Sequence, residues 1–178
     1  MVFGNQMSED TSFVEMKGAL GSLLLLWSAV ERAARAEVAR LHGGVAPKSA
    51  HGIASVLNAW EAAIVAMKPS EPFRVQLAAT LRTALQEPLN IRNGVCHGLI
   101  GISSAYDGKP AVLTWELNGE TRSITWTELQ IMFSWLSKVQ FAIPMIVSMP
   151  STGLGNRMTN TAENRQWWLD EYGIALCG

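Results

Sequence analysis

Three residues near the middle of the chain have the types and spacing for acid–base chemistry on a phosphodiester. They are Arg92, Asn93 and His97. On a helix, Asn93 and His97 are i, i+4 neighbours, so the amide can hold the imidazole in one orientation and tautomer. Arg92 lies about 140° round the helix from His97, and its long side chain can reach over the helix end toward the same anion. Such residues can move a proton and stabilise a phosphorane without a metal ion.

Two glycines in the same segment lead to a second prediction. Gly94 and Gly98 form a small-xxx-small stripe, which lets another backbone come close, and we expect a second helix to pack there. The structural alternative is that both glycines mark tight packing inside one chain. In that case Arg92, Asn93 and His97 are structural, and Cys96 is a small core residue.

The rest of the chain offers little other chemistry. His42 suits the negative end of a helix dipole, and His51 is expected at the surface in the first turn of the next helix. Cys96 and Cys177 are too few for a disulfide framework, and no Cys/His cluster, HExxH or Gly-rich phosphate loop is present. We therefore expect neither a metal nor a cofactor.

Composition excludes several classes of protein. The 178 residues are 48% hydrophobic and 16% charged, with a net charge of −1. This predicts one folded domain over residues 1–178, and it excludes a disordered chain or a polyelectrolyte. Residues 18–105 carry eight basic and five acidic side chains, so the helical part is basic and the remainder acidic. Any binding of nucleic acid would therefore be local, in a cleft and by stacking on an exposed Trp.

The N-terminal residues and two apolar segments indicate where the protein is located. The first ten residues have no basic start and no apolar run, so we expect no signal peptide and a cytoplasmic protein. The stretch 19–30 is too short to span a bilayer, and 129–149 is long enough but contains Gln, Lys and Pro. We interpret both as buried helices and expect no membrane span.

The pattern of apolar residues predicts mostly helices. A capping box at Ser12 and Glu15 opens a helix to about His42. Further helices are expected from Ser49 to about Met67, after Pro72, and from about Leu89 to Ser104, with Pro88 in the first turn of the last of these. A second capping box opens a helix over 126–149, and a short helix follows near 160–172. Between them, Asn118-Gly119 predicts a β-hairpin over 111–126, with Trp115 opposite Arg122 and Leu113 opposite Ile124.

The residues Arg92-Asn93-x-x-x-His97, near the start of a late helix in a small α-helical domain, resemble the Rx4–6H motif of the HEPN superfamily. The resemblance covers residues 12–149 and implies an all-α, HEPN-like bundle of four to five helices. The hairpin at 111–126 would be an insertion before the last long helix, and 150–178 a C-terminal extension.

The resemblance also implies a function. Such proteins are metal-independent endoribonucleases, often toxins or abortive-infection effectors, which form homodimers through the motif helix with both motifs in one cleft. It makes His97 the acid/base, Arg92 the phosphate contact and Asn93 the orienting residue, with Glu31 or Arg32 as a supporting polar residue. A nucleotidyltransferase antitoxin is among the implied partners. The alternatives are an inactive HEPN-like module that binds a nucleotide or protein, and a helical scaffold.

Overall fold

The computed structural model describes residues 11–148, 150 and 156–176. This part of the chain is mainly helical, as predicted. The helices are α1 (Phe13–Leu41), α2 (Gly52–Ala66), α3 (Pro72–Ala84), α4 (Gln86–Gly98), α5 (Trp126–Ser148) and α6 (Ala162–Tyr172), and the strands are β1 (Leu99–Ser103), β2 (Val112–Leu117) and β3 (Glu120–Thr125). The first ten residues, the glycine-rich link at 151–155 and Cys177 lie outside the described residues.

Both predicted capping boxes are present. The Glu15 carboxylate accepts hydrogen bonds from the backbone N–H and the hydroxyl of Ser12, at 2.7 and 2.8 Å. The Glu128 carboxylate accepts the same pair from Thr125, at 2.8 and 2.7 Å. These bonds, the backbone one first, lower the pKa of each carboxyl. The sequence thus places the starts of α1 and α5 correctly, because each box supplies partners for otherwise unpaired N–H groups.

Two other helix boundaries differ from the prediction. Helix α2 begins at Gly52 after His51, so Ser49 is not its cap. Helix α4 begins at Gln86 and ends at Gly98, and not at Ser104. The reason for the second difference is that the residues after Gly98 form a strand.

The predicted hairpin has the expected register. Trp115 pairs with Arg122 and Leu113 with Ile124. Asn118 and Gly119 have φ of 57° and 80°, the left-handed conformations that a two-residue hairpin turn requires.

The sequence predicted only the two strands of the hairpin, whereas the structure adds β1 as a third strand, and the sheet has the order β1-β2-β3. Strand β1 pairs antiparallel with β2, with an irregularity between Leu99 and Gly101. Its sequence, Leu-Ile-Gly-Ile-Ser, is short and apolar, and periodicity alone does not separate such a run from the end of a helix. The free edge of β2 decides the outcome, since it offers unpaired backbone groups.

The described residues fall into two compact units. Unit 1 comprises the described residues of Met1–Leu24 together with Asn90–Phe133, and unit 2 comprises Leu25–Leu89 and the described residues of Ser134–Gly178. Unit 1 contains the sheet and most of α4. Its buried side chains come from α1, α4, β2, β3 and α5, and include Met16, Leu23, Val95, Leu113, Trp115, Ile124 and Leu129.

Unit 2 is helical, with α2 packed against α3. It contains a buried arginine that the sequence did not single out. Arg74 is 5% exposed, and its guanidinium donates to the carbonyl oxygens of Ile146 and Val147, at 2.5 and 2.6 Å. It also forms an ion pair with Glu71 at 2.8 Å. Arg74 thus supplies partners for carbonyls in the last turn of α5, which the helix itself leaves unpaired.

Helices α1 and α5 are long and apolar enough to cross a membrane, judged by length and composition. Within their most apolar windows, 28% and 39% of the residues are buried. A core helix of a soluble protein passes the same test, so the finding is weak evidence for a span. The two helices are compatible with the buried helices expected from the sequence.

Candidate functional site

Helix α4 carries the Arg-Asn-x-x-x-His motif, with all three motif residues in unit 1. The motif lies in the second half of the helix and not near its start as predicted, because α4 begins at Gln86 and ends at Gly98. Arg92 and Asn93 are half-buried, whereas His97 is exposed. Cys96 is exposed as well, which does not fit its interpretation as a small core residue. The imidazole that would act on a substrate therefore lies at the protein surface.

Asn93 contacts the arginine of the motif. Its Oδ1 accepts a hydrogen bond from Arg92 Nη1 at 3.0 Å. Among the described residues no hydrogen bond joins Asn93 to His97, so the expectation that this amide orients the imidazole is not met in this conformation. Arg92 Nε is buried and has no partner in the described part of the chain. Asn93 therefore orients the guanidinium, and contact with an anion is left to the terminal Nη groups, because Nε is buried.

The glycine stripe of α4 is covered by the protein's own sheet. A Cβ built on Gly94 would overlap the Trp115 indole, with Cε2 at 2.8 Å. A Cβ on Gly98 would overlap the backbone carbonyl of Glu116, with the carbonyl carbon at 2.8 Å. The expectation that a second helix packs on this stripe was wrong, because β2 occupies it. The structural alternative, tight packing within one chain, describes these two glycines.

This packing fixes which side of α4 is free. With 100° per residue, Gly94 and Gly98 point to one side of the helix, and Arg92 and Cys96 point roughly to the opposite side. Asn93 and His97 lie between the two directions. Trp115 alternates with Leu113 and Ala111 on one largely apolar face of the hairpin, and a hairpin is barely stable unless such a face packs on other elements, so the sequence held a signal for this contact.

The two supporting candidates belong to the other unit. Glu31 and Arg32 lie on the part of α1 that is in unit 2. The Glu31 carboxylate accepts a hydrogen bond from Arg35 at 2.8 Å, and Arg32 is exposed. The structure does not bring either residue to the motif within one unit.

The other two histidines lie at the ends of helices. His42 Nδ1 lies 2.8 Å from the Val38 carbonyl oxygen at the end of α1. His51 is the exposed residue that precedes α2. In the described residues no group of three or more His, Cys, Asp or Glu side chains could hold a metal ion.

No Trp side chain is exposed, so the expected stacking of RNA bases on an exposed Trp is not supported. All seven Trp side chains are buried or half-buried. The most exposed aromatic residue of the described chain is Tyr106, at 81%, in the turn between β1 and β2. The described residues of unit 1 include four basic and five acidic side chains, so bulk charge would not hold RNA there.

The arrangement on α4 can bind an anion and transfer a proton. A half-buried guanidinium held by an amide binds phosphate in a defined orientation. An exposed imidazole on the same helix can act as a general acid or base.

Comparisons with family models, with curated proteins and with solved structures find no match to this chain. The resemblance to the HEPN superfamily therefore rests on the motif and on the order of the elements.

Proposed function

We propose that the protein is a metal-independent endoribonuclease with an HEPN-like fold, acting through Arg92 and His97. One observation carries the proposal: α4 presents an exposed imidazole and, five residues away, a guanidinium that Asn93 holds at 3.0 Å. The glycine side of α4 is packed on β2, which fixes the helix in unit 1 and leaves His97 open to a substrate.

The reaction would be a transesterification at phosphorus. The His97 imidazole removes the proton of the 2′-hydroxyl, and the 2′-oxygen attacks the adjacent phosphorus. Arg92 stabilises the added negative charge on the phosphorane through the N–H groups of its terminal nitrogens. The imidazolium then protonates the departing 5′-oxygen, which leaves a 2′,3′-cyclic phosphate and a 5′-hydroxyl.

Asn93 has a positioning role in this scheme. By accepting one Arg92 N–H, its amide restricts the rotamers of a long side chain and so lowers the entropy lost when phosphate binds. We expect Asn93→Ala to weaken RNA binding and cleavage without abolishing either.

The biological role that we propose is a toxin or abortive-infection effector that works as a homodimer in the cytoplasm. The second copy would join unit 1 away from the Gly94 and Gly98 side of α4, because β2 covers that side.

The test is cleavage of single-stranded RNA by the purified protein with EDTA present. We expect cleavage by the wild type, and losses of at least 100-fold for His97→Ala and Arg92→Ala, since removal of one acid–base or charge-stabilising group costs roughly 10²- to 10⁴-fold. His51→Ala is the matched control, an exposed histidine in unit 2 that should leave cleavage unchanged. Circular dichroism and the oligomeric state of each variant check the fold.

Cleavage that survives both motif substitutions, or that stops with EDTA, would contradict the proposal. Expression in cells gives an independent readout. Growth inhibition by the wild type should disappear with His97→Ala and persist with His51→Ala.

A second candidate is a non-catalytic module that binds a nucleotide or a partner protein. The observation that favours it is the hydrogen bond from Arg92 to Asn93, which leaves His97 without an orienting partner in the described residues. In that case the purified protein would cut no RNA, but it would bind a nucleotide with an affinity that depends on Arg92 and not on His97.

A further inference from the structure

The two edges of the three-stranded sheet differ in character. The outer strand β3 carries Glu120 and Arg122, and charges of this kind block edge-to-edge pairing. The other outer strand, β1, is Leu-Ile-Gly-Ile-Ser and has neither a charge nor a proline. Among the described residues, no strand lies beyond β1. Within the described part of the chain, the sheet therefore has one protected edge and one edge that is open to another strand.

The apolar residues of the open edge also reach solvent. Ile100 is 62% exposed, an unusual position for a β-branched residue in a short strand. The irregularity in pairing with β2 lies at this residue, and Gly101, Ile102 and Ser103 continue in regular register. The edge thus retains a regular stretch with an exposed isoleucine beside it.

We propose that β1 pairs antiparallel with β1 of a second copy of this chain, which joins the two sheets into one of six strands. The strand is complementary to itself. When two copies are centred on Gly101, each Ile100 lies opposite Ile102 of the other copy, and no charge meets a like charge. An interface with this two-fold symmetry uses the same patch on both copies.

Other exposed apolar residues of unit 1 lie near the end of β1. The Thr11 carbonyl accepts the N–H of Ala105, which holds the start of α1 beside the end of β1. Phe13 and Val14 follow at once and are 47% and 71% exposed. Five paired residues alone cannot bury the roughly 800 Å² per partner of a stable interface, so these side chains would supply part of the remainder.

The pairing of the two β1 strands has a consequence for catalysis, and this consequence rests on the proposed function. Helix α4 ends at Gly98, the residue before β1, so His97 lies next to the interface. In the centred register the two Leu99 residues are about 13 Å apart along the strands, at about 3.3 Å per residue. Each copy would then use its own Arg92 and His97, on opposite sides of the dimer axis.

Disulfide trapping tests the pairing without any RNA. In a background of Cys96→Ser and Cys177→Ser, Gly101→Cys places a thiol at the dimer axis, where opposed Cα atoms are about 4.5–5.5 Å apart, within disulfide range. A Cβ on Gly101 meets only Thr114 Cβ, at 3.8 Å, so the substitution fits. Ser123→Cys is the matched control, since Ser123 pairs with the same Thr114 from the charged edge.

We expect Gly101→Cys to give a covalent dimer on mild oxidation, and Ser123→Cys to remain monomeric on a non-reducing gel. Equal trapping at both positions would overturn the pairing, and so would no trapping at Gly101. The second outcome is the one expected if another segment of the same chain covers β1. Because the gel reports only association, a failure here is separate from a failure of RNA cleavage.

A charge on the edge gives a second, equilibrium measurement. Ile100→Lys should shift the wild-type dimer to monomer in size-exclusion chromatography with light scattering. Ile131→Lys is the matched control: the same change in the same unit, at 67% exposure, on α5. A weak dimer with a Kd near 10 μM still forms at a protein concentration of about 50 μM. A wild type that is monomeric at this concentration would therefore contradict the proposal. So would a dimer that survives Ile100→Lys.

Discussion

Replacing Gly98 with Ala tests the packing that fixes the candidate site. The new methyl group would overlap the backbone carbonyl of Glu116, with the carbonyl carbon at 2.8 Å. The obstacle belongs to the main chain of the central strand β2, which cannot rotate away as a side chain can. Either α4 or β2 must therefore shift, and with it the segment that carries His97.

The size of the effect follows from two opposing contributions. Overpacking at a close contact costs about 1–3 kcal/mol of the free energy of unfolding. Alanine gains up to about 1 kcal/mol over glycine inside a helix, but Gly98 is the last residue of α4, so little of this gain applies. For a chain of this length each kcal/mol shifts Tm by about 2–4 °C, which gives a decrease of about 2–12 °C.

The control is Gly18→Ala, in α1 of the same unit, where an added Cβ meets nothing within 4 Å. There only the helix preference changes, and Tm should rise by about 1–4 °C. Thermal unfolding followed by circular dichroism at several protein concentrations measures both variants. The decrease for Gly98→Ala should not depend on concentration, because the contact lies within one chain.

The reasoning would be refuted if Gly98→Ala were as stable as Gly18→Ala. It would also be refuted if the loss of stability appeared only together with loss of a dimer. The second result would restore the glycine stripe as a contact between two copies.

Two further predictions concern the helix ends. Arg74→Met should lower the free energy of unfolding by about 3 kcal/mol or more, because it removes the buried hydrogen bonds to two α5 carbonyls and the ion pair with Glu71. Arg40→Met, in an exposed pair with Glu37, should change it by less than about 1 kcal/mol in denaturant titrations. Hydrogen bonds from Thr125 lower the pKa of Glu128 below its ordinary value of 4.5, so the stability from this capping box is complete above that value and is lost as the pH falls through the lowered pKa. The Tm difference between the wild type and Glu128→Gln should therefore be largest near neutral pH and shrink in acid, and an equal difference at all pH values would contradict this assignment.

Much of the fold could be predicted from local signals. The capping boxes at Ser12 and Thr125 and the Asn118-Gly119 turn act over a few residues, and each of them fixed a boundary or a register correctly. Strand β1 could not be predicted, because its five residues have no periodicity that excludes a helix. Only pairing with β2, which begins nine residues after β1 ends, makes it a strand.

The candidate site, too, could be predicted only in part from the sequence. Helical spacing predicted that α4 carries Arg92, Asn93 and His97. It predicted His97 as the partner of the Asn93 amide, whereas the structure has Arg92, because both neighbours are within reach of an amide on a helix. The motif also did not predict that α4 packs on β2, since a glycine permits the close approach of any backbone or side chain.

The sequence by itself determined the helical class, the hairpin register and the motif, because capping, turn conformation and helical spacing are properties of neighbouring residues. The tertiary structure decided that β2 covers Gly94 and Gly98, that Arg74 binds the end of α5, and that β1 is an uncharged edge. These depend on backbone and side-chain groups from distant segments that meet only when the chain is folded, and their close contacts are fixed by packing.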